Sequence, residues 1–312
     1  MKLQIEKLVI VTRRTRLDDL VARFNTPGQA KFYLDHSGGN FAEYQAEHDA
    51  YGRALEALRR AVDFGLPRQF LDRSLVPTYT FAAGDLVITL GQDGLVANTA
   101  KYARSQPILA VNPDPARFDG ILLPFTLDQA PRGVESVLRG RAAMRPVTLA
   151  EATLKDGQRL LAFNDLFIGA RSHVSARYRL RWRKQEESQS SSGVLVSTGV
   201  GSTGWMSSVF RMAEGVAAFT GGRSGKPVTL AWEDPRLLFA VREPFVSRQS
   251  QAGLVAGLLE AGEELVAESR MPSGGVIFSD GMEQDFLDFN AGATVEIRTA
   301  AEQARLVLPR AA

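Results

Sequence analysis

The sequence predicts an α/β plus β protein: an N-terminal open, parallel, Rossmann-like α/β domain followed by an antiparallel, β-sandwich-like domain. Three observations carry this. Buried-strand runs at 8–12, 86–90 and 107–112 alternate with helical stretches in the first 130 residues. Beyond about residue 145 the segments become short, β-rich and separated by turns. A chain of 312 residues, 45% of them hydrophobic, can fill two cores. The expected divisions are 1–135 (α/β) and 136–295 (β), with 296–312 a candidate to return to the first domain.

Residues 8–12 (Leu-Val-Ile-Val-Thr) are apolar until the last position, as a strand covered on both faces requires. Over 41–62, Phe41, Tyr44, His48, Tyr51, Leu55, Leu58 and Val62 recur at steps of three and four. They share one helix face, opposite Glu43, Glu47, Arg53, Arg59 and Arg60. That face is expected to cover the sheet, with His48 packed in it. Gly65 and Pro67 end the helix. Residues 86–90 form the next strand, the turn 91–94 leads into a helix over 95–104, and 107–112 is a strand ending on the polar Asn112. Strand, helix, strand in this order indicates parallel units whose ligands gather at the carboxyl ends of the strands. In the second domain, strands are expected at 159–163, 165–169, 174–183, 193–197, 228–232, 237–241, 275–279, 294–299 and 304–308. The polar stretch 185–192 reads as a hairpin loop, and 219–227 as a glycine-rich loop.

Lys plus Arg is 37 against 35 for Asp plus Glu, a net charge of +2, which argues against a nucleic-acid binder relying on bulk charge. The absence of cysteine excludes disulfides, thiolate metal sites and a cysteine nucleophile. Only His36, His48 and His173 are present, too few to favour a multi-histidine zinc site. The N-terminus has no apolar run of signal-peptide length, and no eighteen-residue uncharged apolar stretch occurs. The expectation is a cytoplasmic protein without a membrane partner.

Two turns stand out because each follows a buried strand with small, flexible residues whose N–H groups suit an anion. One is Gly91-Gln92-Asp93-Gly94, where Asp93 could take a proton from a hydroxyl or help hold Mg²⁺, or simply stop a strand in an Asp-Gly turn. The other is 198–204, where Thr198, Ser202 and Thr203 bring hydroxyls, Gly199, Gly201 and Gly204 flexibility, and the following Trp205 a face for a base. Asn164-Asp165, between apolar runs, suits ribose hydroxyls or an adenine edge, or a bulge between strands. Asp280-Gly281 repeats the strand-then-turn pattern and could equally be a hairpin turn. The loop 221–226 resembles a phosphate-binding Walker A loop, but Thr220 replaces its first glycine and Pro227 its Ser or Thr, so the match is rejected. Arg177, Arg179, Arg181 and Arg183 alternate with Tyr178, Leu180 and Trp182, giving a basic strand face expected to be screened by Glu186 and Glu187.

Taken together, these blocks resemble the NAD kinase family, with the animal mitochondrial-type branch nearest. Gly91-Gln92-Asp93-Gly94 resembles the family's G-G-D-G turn, the run 107–115 its strand ending in G-V-N, and 163–169 its L-N-E block. Ser191-Ser192-Gly193 with 198–202 and Trp205, and 238–244, are similar to the mitochondrial branch in particular. The likeness spans about 84–295, with a weaker echo at 8–16. It implies an active site in a cleft between an α/β and a β domain, where ATP phosphorylates the 2′-hydroxyl of the adenosine ribose of NAD. Asp93 would accept the proton, Gly91, Gln92 and Gly94 would cradle phosphates, and Mg²⁺ would neutralise them. Asn164, Asp165, Thr198, Gly201, Ser202, Thr203 and Trp205 would hold NAD, with Asn112 and Asp280 as further candidates. A homodimer is implied, and no protein ligand to a metal is assigned. Gln92 departs from the family's second glycine: a positive φ there would cost about 1–2 kcal/mol. Leu95 replaces a threonine. The alternatives are a kinase of the same fold acting on another hydroxyl (a sugar, lipid or nucleoside), or a non-catalytic NAD(P) binder.

Overall fold

The computed structural model describes residues 4–223 and 225–309. Residues 1–3 of the N-terminus, Ser224 of the Walker-like loop and 310–312 of the C-terminal segment lie outside the described residues. The chain divides into two compact units, Met1–Arg145 with Arg305–Ala312, and Pro146–Ala304.

The first unit runs β1 (Lys7–Thr12), α1 (Arg16–Phe24), α2 (Pro27–Ser37), α3 (Phe41–Ala61), β2 (Arg68–Asp72), β3 (Asp85–Leu90), α4 (Asp93–Ala103), β4 (Pro107–Val111) and α5 (Ala130–Leu138). The sheet order is β2-β1-β3-β4, all parallel. All six positions of β3 are buried, which is why its sequence shows no alternation. Leu8, Ile10, Leu58, Leu86, Ile88 and Leu109 build the core. The opaque stretch between β1 and α3 forms two short helices. A capping box of Thr15 and Asp18 starts α1, and Pro27 in the first turn and Gly38 at φ +77° bound α2. The helix after the 91–94 turn starts at Asp93, two residues earlier than expected, so Asp93 occupies its first turn.

The second unit runs β5 (Ala143–Leu154), β6 (Arg159–Ala162), β7 (Asp165–Ala170), β8 (Ala176–Trp182), β9 (Gln185–Ser191), β10 (Val194–Ser197), α6 (Trp205–Phe219), β11 (Leu237–Val241), β12 (Ala256–Leu259), β13 (Leu265–Ser269), β14 (Gly275–Ser279), β15 (Phe286–Asp288) and β16 (Thr294–Leu308). One antiparallel sheet has the order β12-β11-β10-β7-β14-β15. The other layer pairs β16-β13-β8-β9 antiparallel, with β5 beside β16 and β6. Ile168, Val196 and Phe239 from the first layer meet Tyr178, Leu180, Leu265 and Ile297 from the second in one apolar core. The last residues of β16 belong to the first unit, where Arg305 and Leu306 lie parallel to Pro107 and Ile108.

Several expectations need correcting. The stretch 185–192 is mostly strand: Gln185 to Ser191 pair with Trp182 to Ala176, and the turn is Arg183-Lys184, with Arg183 at φ +55°. The run 228–232 is irregular, and 294–299 and 304–308 belong to one strand. The unit is not purely β, because α6 occupies 205–219. On the basic strand face, Arg179 meets Glu186 at 3.4 Å and Glu268 at 4.0 Å. Glu187 turns away and accepts from the N–H groups of Gly253 and Leu254 instead. Among the described residues, no helix is long and apolar enough to cross a membrane.

Gly275 opens β14 against β15 and the segment after it. A Cβ there would fall within the van der Waals envelope of the Phe289 carbonyl oxygen, a backbone atom that cannot rotate away. Gly275→Ala is expected to lose at least about 2–3 kcal/mol of stability, read as a lower urea midpoint at unchanged m-value. An unchanged midpoint would contradict this packing.

Candidate functional site

In the first unit the candidate residues sit where β3 turns into α4. The Gly91 N–H donates to the Val111 carbonyl at 3.3 Å, and the Leu95 N–H closes back on the Gln92 carbonyl at 2.8 Å. A Cβ on Gly91 would stand 2.7 Å from Leu95 Cδ2, so Leu95, 2% exposed, packs over the turn and would have to shift for any side chain there. Gln92 caps α4 at φ −97°, ψ 170°. This is ordinary extended backbone, so the strain considered for a side chain at this position does not arise. The N–H groups of Gln92, Asp93 and Gly94 find no acceptor among the described residues. They point out of the positive end of an eleven-residue helix. Asp93 Oδ1 accepts from the Leu122 N–H at 2.7 Å, which fixes the carboxylate and leaves its other oxygen unbonded among the described residues. Asn112 is buried and spends its amide on the loop that delivers Leu122: it donates to the Phe118 carbonyl at 2.9 Å and accepts from the Asp114 N–H at 3.0 Å.

Beneath this turn lies a network that the sequence did not reveal as such. Tyr51 on α3 donates its hydroxyl to the Leu90 carbonyl at 3.0 Å and accepts from the Arg13 N–H at 3.0 Å, tying the ends of β3 and β1 together. One turn earlier, Glu47 is 5% exposed and accepts from Arg13 at 3.0 Å and Arg16 at 2.6 Å. Burial opposes its ionisation, but the hydrogen bonds from Arg16 and Arg13 outweigh that and hold its carboxyl below the usual range. The Arg13 side chain is 10% exposed, its Nε has no partner among the described residues, and its Cδ lies 3.6 Å from where a Cβ on Gly91 would be. His48 is not packed into the core: its side chain is 41% exposed, and Nδ1 lies 3.0 Å from Thr15 Oγ1 and 3.4 Å from Asp18. Glu47, expected on the outward face, is instead buried with Tyr51: four residues apart, the two lie on one side of the helix, and that spacing was the signal available in sequence.

In the second unit Asp280 gathers the candidates. It stands at φ +54° just beyond β14. Its carboxylate accepts from the N–H groups of Phe163 at 3.0 Å, Asn164 at 2.6 Å and Asp165 at 3.2 Å. The Asp-Gly turn is thus also an anchor for the Asn-Asp pair. The Asn164 side chain is half-buried and bonds to nothing among the described residues, so its amide is available to a ligand. Asp165 is buried beside Ser197 and Asp280, with Oδ1 unpartnered among the described residues. Burial pushes its pKa up to about 7; the Ser197 hydrogen bond works against this and the Asp280 charge adds to it.

The turn 198–204 docks on this anchor. The Thr198 N–H donates to the Asn164 carbonyl at 2.9 Å, and its hydroxyl to the Phe163 carbonyl at 2.6 Å. Ser202 donates its hydroxyl to the Gly199 carbonyl at 2.7 Å and accepts from the Leu230 N–H at 3.2 Å. Both hydroxyls are buried and engaged in building the turn; Thr203 is exposed, and its hydroxyl donates to the Val200 carbonyl at 3.1 Å. A Cβ on Gly199 would collide with the Ala231 carbonyl, and one on Gly201 with the Asn164 carbonyl. The same close approach explains why 228–232 is irregular.

Trp205 faces a different environment. It stacks on Phe167 with ring centroids 5.9 Å apart and planes 12° from parallel, and Phe167 stacks in turn on Phe278 at 4.8 Å. The Arg242 guanidinium lies 5.3 Å from the Trp205 ring centre. These aromatics line a cavity of about 680 Å³ that Ser192, Arg171 and His173 complete. Next to Ser192, the buried Ser191 lies 2.6 Å from the Tyr178 hydroxyl and accepts from the Gly193 N–H at 2.9 Å. A planar aromatic ligand with anionic substituents matches these walls. Phe167 and Phe278 are direct cross-strand partners, a pairing that register alone reveals. Among the described residues no group of three or more His, Cys, Asp or Glu is arranged to hold a metal ion.

No protein-family model matches the chain. It is 24% identical over 319 aligned positions to NAD kinase 2, mitochondrial, of Rattus norvegicus, covering 78% of this chain and 74% of the relative. It is 26% identical over 251 positions to a probable NADH kinase of Oryza sativa subsp. japonica, covering 72% and 71%. Yeast NADH kinase, solved with NADH, superposes with a TM-score of 0.57 at 18% identity over 99% of this chain and 84% of that one. The fold is that of the NAD kinases. An NAD kinase from Archaeoglobus fulgidus, solved with ATP, agrees at a TM-score of 0.54 and 15% identity over 97% and 94%. The likeness to NAD kinases seen in the sequence is thus present in curated relatives, the mitochondrial type among them, and the solved structures share the fold.

Asp165 generates a pH prediction. Its folded pKa of about 7 lies above the ordinary aspartate value of 3.8, so the native state holds a proton that the unfolded state has lost between those values. Stability is therefore highest below the lower value and falls as pH rises through about 7. Asp165→Asn should remove that decline, raising Tm relative to the parent protein by a few degrees at pH 8 and by less at pH 5. Parallel Tm–pH curves for the two proteins would refute it.

Proposed function

We propose that the chain is a phosphotransferase that moves the terminal phosphate of ATP to the 2′-hydroxyl of the adenosine ribose of NAD, giving NADP. The observation that carries this reading is Asp93: a carboxylate fixed through one oxygen by Leu122, with the other unbonded, in the first turn of α4 beside three unpaired N–H groups. As the ribose oxygen bonds to the terminal phosphorus, the bond from phosphorus to the bridging oxygen breaks and ADP leaves. The hydroxyl proton passes to the free oxygen of Asp93. The N–H groups of Gln92 to Gly94 and the helix end meet phosphate oxygens, and Glu47 and Tyr51 keep the strand ends that carry the turn in place.

The nucleoside side of the reading rests on the second unit. The unbonded Asn164 amide suits hydroxyl or base edges, Thr203 adds an exposed hydroxyl, and Trp205 with Phe167 offers a stacking face. Thr198, Gly201, Ser202, Asp165 and Asp280 act by shaping that surface. Mg²⁺ entering with ATP would be held chiefly by phosphate oxygens and would neutralise their charge. The names of the relatives make NADH a second acceptor for the same assay. The resemblance also motivates a homodimer, to be weighed by light scattering. The ordinary φ of Gln92 removes the strain that would favour a non-catalytic binder.

Purified protein with ATP, Mg²⁺ and NAD should form NADP, measured by a coupled NADP-specific dehydrogenase. Asp93→Asn should lower kcat by about 10²–10⁴-fold with an unchanged circular dichroism spectrum. Full activity in that variant would remove Asp93 from the chemistry. No NADP from the parent protein with ATP, other nucleotides or polyphosphate would end the reading.

A further inference from the structure

Helix α5 carries two stripes. Ala130, Val134 and Val137 are buried, and Gly133 lets the helix lie against Leu109 and Phe125, where a Cβ would stand 2.7 and 2.8 Å from their side chains. The second stripe, Arg132, Ser136 and Arg139, recurs at steps of four and three and lines a cavity of about 530 Å³. The end of α5 brings in another cation. Arg139 caps the helix, the Gly140 N–H donates to the Val137 carbonyl at 2.8 Å, and the Arg141 N–H donates to the Ser136 carbonyl at 2.9 Å. This is a Schellman closure, with Gly140 at φ +64° as the left-handed residue. It curls the chain back so that Arg141 joins the same cavity.

Three guanidiniums therefore share one cavity, and only Arg139 has a carboxylate, Glu135, beside it. Arg132 and Arg141 have no side-chain partner among the described residues. The helix dipole explains cations at the C-terminal end, Arg139 and Arg141, but not Arg132, which stands in the first turn, where a positive charge is disfavoured. Like charges converging on one space repel, and an anion relieves the repulsion. Guanidinium forks match phosphate oxygens in pairs. The rest of the lining is Leu308 and Pro309 at the end of β16 with Phe125, the Gln129 side-chain amide, and the Glu135 carboxylate that Arg139 neutralises.

We propose that this cavity is a second ligand site, separate from the Asp93 turn, which binds a nucleotide-sized organic phosphate. The phosphate groups meet Arg132, Arg139 and Arg141, and the body of the ligand rests on Leu308 and Pro309. The volume suits a mononucleotide. The site does not depend on the phosphotransfer reading, since none of its residues belongs to that machinery.

The test is hydrogen exchange with ADP as probe, read separately over 129–142 and over 91–98, with Arg132→Ser/Arg141→Ser as the variant. Both side chains are exposed, so the variant should fold with an unchanged Tm in the absence of ligand. ADP should slow exchange over 129–142 in the parent protein and not in the variant. Titration calorimetry should show at least tenfold weaker binding for the class of sites the variant loses. Protection at 129–142 that survives in the variant overturns the proposal, as does protection confined to 91–98. The latter result would leave the phosphotransfer reading standing, and protection confined to 129–142 would do the reverse.

Discussion

The N–H groups of Phe163, Asn164 and Asp165 converge on the carboxylate of Asp280, and the rest of the second unit's candidate surface depends on that convergence. Successive backbone donors around one anion form a nest whose bonds are charge-assisted. With the N–H groups held there, the carbonyls of Phe163 and Asn164 are left to receive Thr198. Thr198 then fixes a turn so tight that Gly199 and Gly201 press against the backbone of Ala231 and Asn164. The same anchor raises the cost of a second negative charge nearby. Asp165, buried beside Asp280, keeps its proton into the neutral range, and Asn164 is left as the pair's outward-facing member.

The first unit reaches a fixed site by a different route. There α3 acts as a brace: Tyr51 bonds to the end of β3 and to the residue after β1, and Glu47 binds Arg13 and Arg16, which follow β1. The brace explains how the 91–94 turn tolerates its departures from the glycine-rich pattern. Gln92 needs no left-handed backbone, and Leu95 gains packing over Gly91 in place of a hydroxyl. The closest packing in the turn therefore falls on Gly91, where the leucine side chain lies.

Much of the fold was legible in the sequence because burial on both faces leaves a plain mark. The strands at 7–12, 85–90 and 107–111 are apolar runs, and a run that must be dry throughout admits few other readings. Strand β9 was opaque for the opposite reason. Gln185 to Ser191 is polar at nearly every position, and its pairing is supplied by the arginine-bearing strand beside it rather than by apolar content. The reverse failure occurs at 228–232, which is apolar but irregular where its backbone presses on Gly199 and gives an N–H to Ser202. The candidate site was legible in its residue types but not in their availability. Sequence cannot tell a hydroxyl engaged in its own turn, as at Thr198, from an amide left unbonded, as at Asn164. Nor could it show that Phe167 would pair with Phe278 beneath Trp205.

Near-neutral net charge conceals how unevenly the charges are matched. Within the units many arginines meet carboxylates: Arg159 meets Glu151 and Glu302, Arg183 meets Glu263, Arg236 meets Asp234, and Arg298 meets Glu151 and Glu264. Exposed pairs of this kind contribute little stability, but they cancel the local field. The unmatched cations then decide where an anion is drawn. Arg177 and Arg181 lie on an open strand face, where water solvates them and no walls hold a ligand. Arg171 stacks on Phe286 at the edge of the aromatic cavity, and Arg132 and Arg141 line the cavity beside α5. An unpaired guanidinium costs little where solvent screens it, and draws an anion most strongly where concave, partly apolar walls thin that solvent. Burial of the surroundings, more than the number of arginines, separates these two cavities from the basic face of β8.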